Sequence, residues 1–166
     1  MYPWSQFLWV VTAFVGLPTV VWAYSIRAVK MKEDPRADGL GLVATGSVAF
    51  LGGFVACAGW LSWSAYGRGP GLPAPREFPT WQVVACGITV VSVCFAAAHL
   101  SRWVKAGGLA AAAGATAGFT TAFSIDASTD DTGQAGVGIL LSELGWGITL
   151  SILVLVRAGW VRSRSS

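Results

Sequence analysis

Five apolar stretches, each near the length that crosses a hydrocarbon core as a helix, divide this chain of 166 residues. They run Trp4–Ile26, Gly39–Trp63, Trp81–Leu100, Gly107–Ile125 and Gly136–Val156. Nearly all charge and turn chemistry falls between them, in 27–38, 64–80, 101–106 and 126–135, and in the tail from Arg157. Lipid offers no partner for a backbone N–H or C=O, so the spans must be helices. A barrel would need alternating strands of about ten residues, and no such alternation is present. Only 11% of residues are charged and 54% are hydrophobic, whereas a soluble domain carries about a quarter charged residues to wet its surface. That balance excludes a soluble globular enzyme and a disordered chain. The expected fold is all-α: an integral membrane helical bundle of five transmembrane helices, one domain over residues 1–166.

Basic residues orient the bundle. Arg27, Lys30, Lys32 and Arg36 lie in the first connection, Arg102 and Lys105 in the third, and Arg157, Arg162 and Arg164 in the tail. Nine of the eleven Lys and Arg thus share one side, opposed only by Arg68 and Arg76. The positive-inside rule places that side in the cytoplasm, with the amino terminus outside, the carboxyl terminus inside, and the plasma membrane as the expected location. The leading Met-Tyr-Pro-Trp-Ser-Gln has no positive charge, so the first span reads as a retained helix, not a cleaved signal. Pro18 within it should kink it and leave a backbone bond for a neighbour or water to satisfy. Seven of the nine tryptophans, at 4, 22, 60, 63, 81, 103 and 160, fall near span ends, where an indole anchors in the headgroup zone. The run from Gly67 to Pro75 reads as a Pro/Gly-rich outer loop.

Packing expectations centre on the fourth span. Ala110, Gly114, Gly118 and Ala122 recur every four residues and make a smooth ridge against which another backbone can lie closely. Thr116, Thr120 and Ser124 form a second stripe about 200° away. A helix that is small on one side and hydroxylated on the other should contact protein on both and be central. The second span repeats the pattern at Ala49, Gly53 and Cys57 and is its expected partner. The first, third and fifth spans, richer in Val, Leu, Ile and Phe, should meet lipid more.

Glu143 is the sharpest chemical signal. It lies about seven residues, near 10 Å at 1.5 Å per residue, below the outer end of the fifth span. A carboxylate in hydrocarbon must be protonated, partnered or facing a wet cavity. Trp146, one turn on, could offer its N–H. Glu143 is therefore a proton or cation candidate, set against a glutamate simply hydrogen-bonded within the bundle. Asp126, Asp130 and Asp131 crown the fourth span and could funnel cations toward Thr120 and Thr116; a solvated, topology-setting loop is the plainer reading, and the spacing does not fit an EF-hand.

His99 is the only histidine; alone it excludes multi-His metal and bis-His haem sites and reads as a hydrogen-bonded boundary residue. Cys57 and Cys86 sit at matching depths, which a disulfide requires, but packing as small apolar side chains is the default. No metal or cofactor is implied, and no nucleotide, zinc-protease or nucleophile-elbow motif occurs. The basic residues cluster beside membrane exits, where they attract anionic headgroups, so nucleic acid is rejected as a partner.

Function divides three ways. The small-residue ridges and short connections point first to a non-enzymatic accessory or assembly subunit, or a self-associating bundle, whose partners are membrane lipids and other membrane subunits. The second reading is a small proton- or cation-linked transporter or channel using Glu143. The third, a membrane redox or lipid-modifying enzyme, has no reactive pair behind it.

Overall fold

In the computed structural model, residues 3–61, 78–128 and 135–163 are described. Among these the chain is helical, with no strand beyond one isolated bridge. Five helices are long and apolar enough to span a membrane. They are α1, Trp4–Lys30; α2, Leu42–Trp60; α3, Thr80–Leu100; α4, Lys105–Ala127; and α5, Ala135–Ser163. The loop expected from Gly67 to Pro75 lies outside the described residues.

Helix ends shift from the hydropathy boundaries for local reasons. α1 runs one turn further, through Arg27 and Lys30, because cations favour the negative end of a helix dipole. α2 starts at Leu42 rather than Gly39, because Leu40 is bridged to Ser101 in the third connection. α5 continues past Val156 through Arg157 to Ser163. Within α1, Thr12–Gly16 forms a π turn just before Pro18, and the Leu17 N–H donates to the Thr12 carbonyl five residues back. Proline has no N–H for the residue four back; widening the helix for one turn lets later donors reach past the gap. Pro18, where a kink is expected, thus closely follows a local widening of the helix.

α4 is the hub. Over its apolar window 72% of residues are buried, against 28% for each of α2, α3 and α5 and 6% for α1. All four other helices pack on it, most extensively α2, then α5. The second helix is therefore no more shielded from lipid than the third and fifth, contrary to the composition-based expectation. Its small face carries Ala49 and Gly53 onto α4, while Val43, Val48, Leu51 and Val55 stay exposed on the other side.

The α2–α4 seam is a backbone contact. A Cβ built on Gly114 would run into the carbonyl of Gly46, one on Gly118 into that of Phe50, and one on Gly53 into that of Ala115. Only glycine admits this approach, and it brings many weak contacts into range along the seam. Ala49, Ala111 and Ala115 close it with no exposed surface.

On the basic side the connection between α1 and α2 is tied to the end of α3. Leu40 N–H donates to the Leu100 carbonyl at 2.7 Å, Arg102 N–H to Leu40 at 3.1 Å, and Arg36 N–H to Arg102 at 2.8 Å. Gly39 makes this possible with φ of 129°; a Cβ there would stand 2.6 Å from the Arg102 backbone nitrogen. From the same connection Glu33 reaches the start of α4 and accepts hydrogen bonds from the Lys105 and Ala106 N–H groups at 2.8 and 2.9 Å. A carboxylate at the positive end of the central helix satisfies two orphan donors and complements the dipole.

Candidate functional site

The hydroxyl stripe of α4 faces α5. Thr116 and Thr120 have 2% or less of their surface exposed, and Glu143 on α5 has 5%. The two helices run antiparallel, so Thr120 meets Glu143 and Thr116 meets Gly147. The Thr116 methyl lies 3.8 Å from where a Gly147 Cβ would stand, and the Trp22 ring of α1 lies 3.1 Å from that point. Gly147 thus leaves a notch that Trp22 roofs.

The polar groups in this seam are not spent. Most helical hydroxyls here donate to a carbonyl four residues back: Thr45 to Gly41, Thr89 to Ala85, Thr121 to Ala117, Ser124 to Thr120 and Ser128 to Ser124. Thr116 and Thr120 do not. Thr120 faces the Glu143 carboxyl closely enough to act on it, yet Thr116 Oγ1, Thr120 Oγ1 and Glu143 Oε2 are each buried without a hydrogen-bond partner among the described residues. Leaving such groups unmade costs about 1–3 kcal/mol each, more for a charged group. Three such oxygens thus lie along one seam, one of them able to carry negative charge, in surroundings of low dielectric.

Other sequence candidates are placed differently. Trp146 turns its indole onto Phe119, with ring centroids 5.5 Å apart, and toward Gly87 of α3; it does not close on Glu143 Oε2, and its role is packing. Asp126 is the penultimate residue of α4, while Asp130 and Asp131 lie outside the described residues. Ser124, the third member of the hydroxyl stripe, is fully buried and donates at 2.7 Å to the Thr120 carbonyl. His99 is exposed and accepts from Arg157 at 3.3 Å through Nδ1, tying α3 to α5.

The disulfide weighed between Cys57 and Cys86 is not formed; both residues are buried thiols. The Cys86 thiol points at the Ala56 carbonyl at 3.7 Å. Matching depth was satisfied, but the sulfur is directed to the backbone beside Cys57 instead of to its side chain. Among the described residues no cluster of three or more His, Cys, Asp or Glu could hold a metal.

Two features of the site escaped the sequence reading. Gly147 opposite Thr116 had no spacing signal of its own. Trp22 has the position of an interface anchor, yet it also stands one turn before Ile26 and two before Val29 on the packed face of α1. Comparison with protein-family models, with curated proteins and with solved structures found no match.

Proposed function

We propose that this chain is a non-enzymatic, multi-pass membrane protein that binds a proton or small cation at Glu143, within a small proton- or cation-linked transporter or channel. The observation that carries this reading is that three buried oxygens along the α4–α5 seam, Glu143 Oε2 and the hydroxyls of Thr120 and Thr116, have no hydrogen-bond partner among the described residues. In hydrocarbon a carboxyl group is held neutral by a proton or by a bound cation, and the neighbouring hydroxyls can both donate and accept. Orientation with the amino terminus outside and the carboxyl terminus in the cytoplasm, in the plasma membrane, is part of the proposal and rests on the distribution of Lys and Arg.

The deciding experiment replaces Glu143 by Gln and measures folded yield together with proton- and cation-driven flux in liposomes. Preserved yield with lost flux is expected. Equal flux in both proteins removes Glu143 from any transport role.

The accessory or assembly reading keeps one observation in its favour. α1 buries only 6% of its apolar window, and Trp4, Trp9, Val20, Val21 and Tyr24 are each at least 65% exposed. A helix this loosely shielded can present its face to another membrane subunit. The small-residue ridge no longer supports self-association, because Gly114 and Gly118 are already spent on α2. Absence of flux in both forms, with co-purification of a second membrane protein lost when Val20 and Val21 are changed to bulkier residues, would favour this reading.

A further inference from the structure

α1 and α2 both lean on α4 but barely touch each other, and the space between them is an apolar groove of about 1080 Å³. Its floor is the small face of α4, from Ala110 to Ala117; its walls include Thr19 and Ala23 on one side and Ser47 and Phe50 on the other. The only charged residues lining it are Arg27 and Lys30, at the basic end of α1, with no acidic residue beside them. Glu33, the nearest acid in sequence to Lys30, is committed to the start of α4.

We propose that this groove is a binding site for one membrane phospholipid with a net anionic headgroup, its acyl chains lying on α4 and its headgroup held by Arg27 and Lys30. Two independent features of the groove select that occupant. Along α1 it extends from Met31 to Thr19, about 18 Å at 1.5 Å per residue, against about 15 Å for half of a 30 Å hydrocarbon core. The groove therefore spans one leaflet and stops, which suits a lipid and leaves a transmembrane partner helix only half accommodated. Its charge is also polarised: cations stand only where a headgroup would sit, and small apolar residues lie where the chains would run. The Lys30 ammonium lies 5.3 Å from the Trp103 ring centroid, a contact that holds the group at the interface. Alanines and glycines on α4 have no side chains long enough to fill the space, so a flexible hydrocarbon chain is needed to cover the hub of the bundle.

The test is native mass spectrometry of the full chain in a mild detergent, titrated with phosphatidylglycerol or phosphatidylcholine of identical acyl chains. One phosphatidylglycerol is expected to be retained per chain, at least fivefold more tightly than phosphatidylcholine. Arg27→Gln with Lys30→Gln should reduce that preference to below twofold. Both side chains are exposed, so folding is preserved, and a thermal melt in the same detergent verifies it. Ser47→Phe, at an exposed wall position, should weaken retention of both lipids. Equal retention of the two lipids, or a preference unaffected by the double substitution, overturns the proposal. So does a dimer whose interface is disrupted by Ser47→Phe, because the occupant would then be a second copy of this chain. None of these readouts depends on flux, so the lipid site stands or falls separately from Glu143.

Discussion

Substituting Gly114 by alanine tests the central packing claim directly. A Cβ there meets the Gly46 carbonyl oxygen first, with the Gly46 carbonyl carbon at 2.9 Å and its Cα at 3.0 Å. All three are backbone atoms, so no rotamer change relieves the contact. Carbon pairs rest at about 3.5–4.0 Å, so relieving the two carbon contacts alone requires α2 and α4 to separate by about 0.5–1 Å. A gap of that size forfeits about a quarter to a half of each contact's attraction. If the seam holds on the order of 40 pairs at about 0.15 kcal/mol each, the load of one buried leucine, the loss is about 1.5–3 kcal/mol. Measured costs of overpacking fall in the same range of about 1–3 kcal/mol. Alanine also raises helix propensity by up to about 1 kcal/mol, which would mask part of the effect. Gly59→Ala isolates that contribution, since a Cβ on Gly59 meets nothing within 4 Å. Reversible unfolding in mixed micelles, titrated by the mole fraction of sodium dodecyl sulfate and followed by circular dichroism, should show Gly114→Ala at least 1.4 kcal/mol less stable than Gly59→Ala, about tenfold in equilibrium constant. Equal midpoints for the two variants would refute a seam closed by backbone contact.

Three further outcomes follow from the basic side and the topology. Glu33→Ala removes both acceptors from the start of α4 and should cost about 1–2 kcal/mol; amide exchange at Lys105 and Ala106 should accelerate while exchange in the middle of α4 does not. Gly39→Ala places a Cβ 2.6 Å from the Arg102 nitrogen in a left-handed conformation and should cost about 2 kcal/mol or more, read as a lower unfolding midpoint in the same micelle titration. Single cysteines placed at Gly71 and Ser165, in a background without the native thiols, should react from outside and only after permeabilisation, respectively; the opposite pattern would reverse the proposed orientation.

Element by element, the parts of the fold legible in the sequence are those set by the solvent. Residues such as Val90, Leu150 and Val154 had to lie in hydrocarbon or protein, and the charges at Arg27, Lys30 and Arg102 had to lie at its edge, so five spans followed from hydropathy alone. The centrality of α4 was legible for another reason: a helix of alanine, glycine and threonine is a poor lipid surface but a good packing surface. Long-range backbone chemistry was not legible. Glu33 caps a helix 72 residues away, and Leu40 exchanges backbone hydrogen bonds with Leu100 and Arg102 at the far end of α3; neither leaves a local pattern. Glu143 stood out because a lone carboxyl in an apolar run has few explanations. Its neighbours did not, because choosing Thr120 over Trp146 depends on which face of α5 turns to α4, and the weak amphipathicity of α5 leaves that rotation open.

The hub position of α4 implies that its two faces are mechanically linked. Gly114 and Thr116 are two residues apart, about 200° around the helix, so one touches α2 while the other faces α5. Packed interiors pass on strain because they hold few voids to absorb it. An alanine at 114 that pushes α4 away from α2 by 0.5–1 Å must therefore press Thr116 and Thr120 toward Gly147 and Glu143 or displace α5 outward. Either response changes access to the Glu143 carboxyl, which can be read without any transport assay. A hydrophobic carbodiimide adds to a protonated carboxyl group within the membrane, and the adduct is counted by mass, with Glu143→Gln as the blank. Gly114→Ala should change the labelling rate at Glu143 by threefold or more, while Gly59→Ala leaves it at the wild-type value. Identical rates in all three proteins would mean that the α2–α4 seam yields without moving α4, and that the buried carboxyl is insulated from the packing that surrounds it.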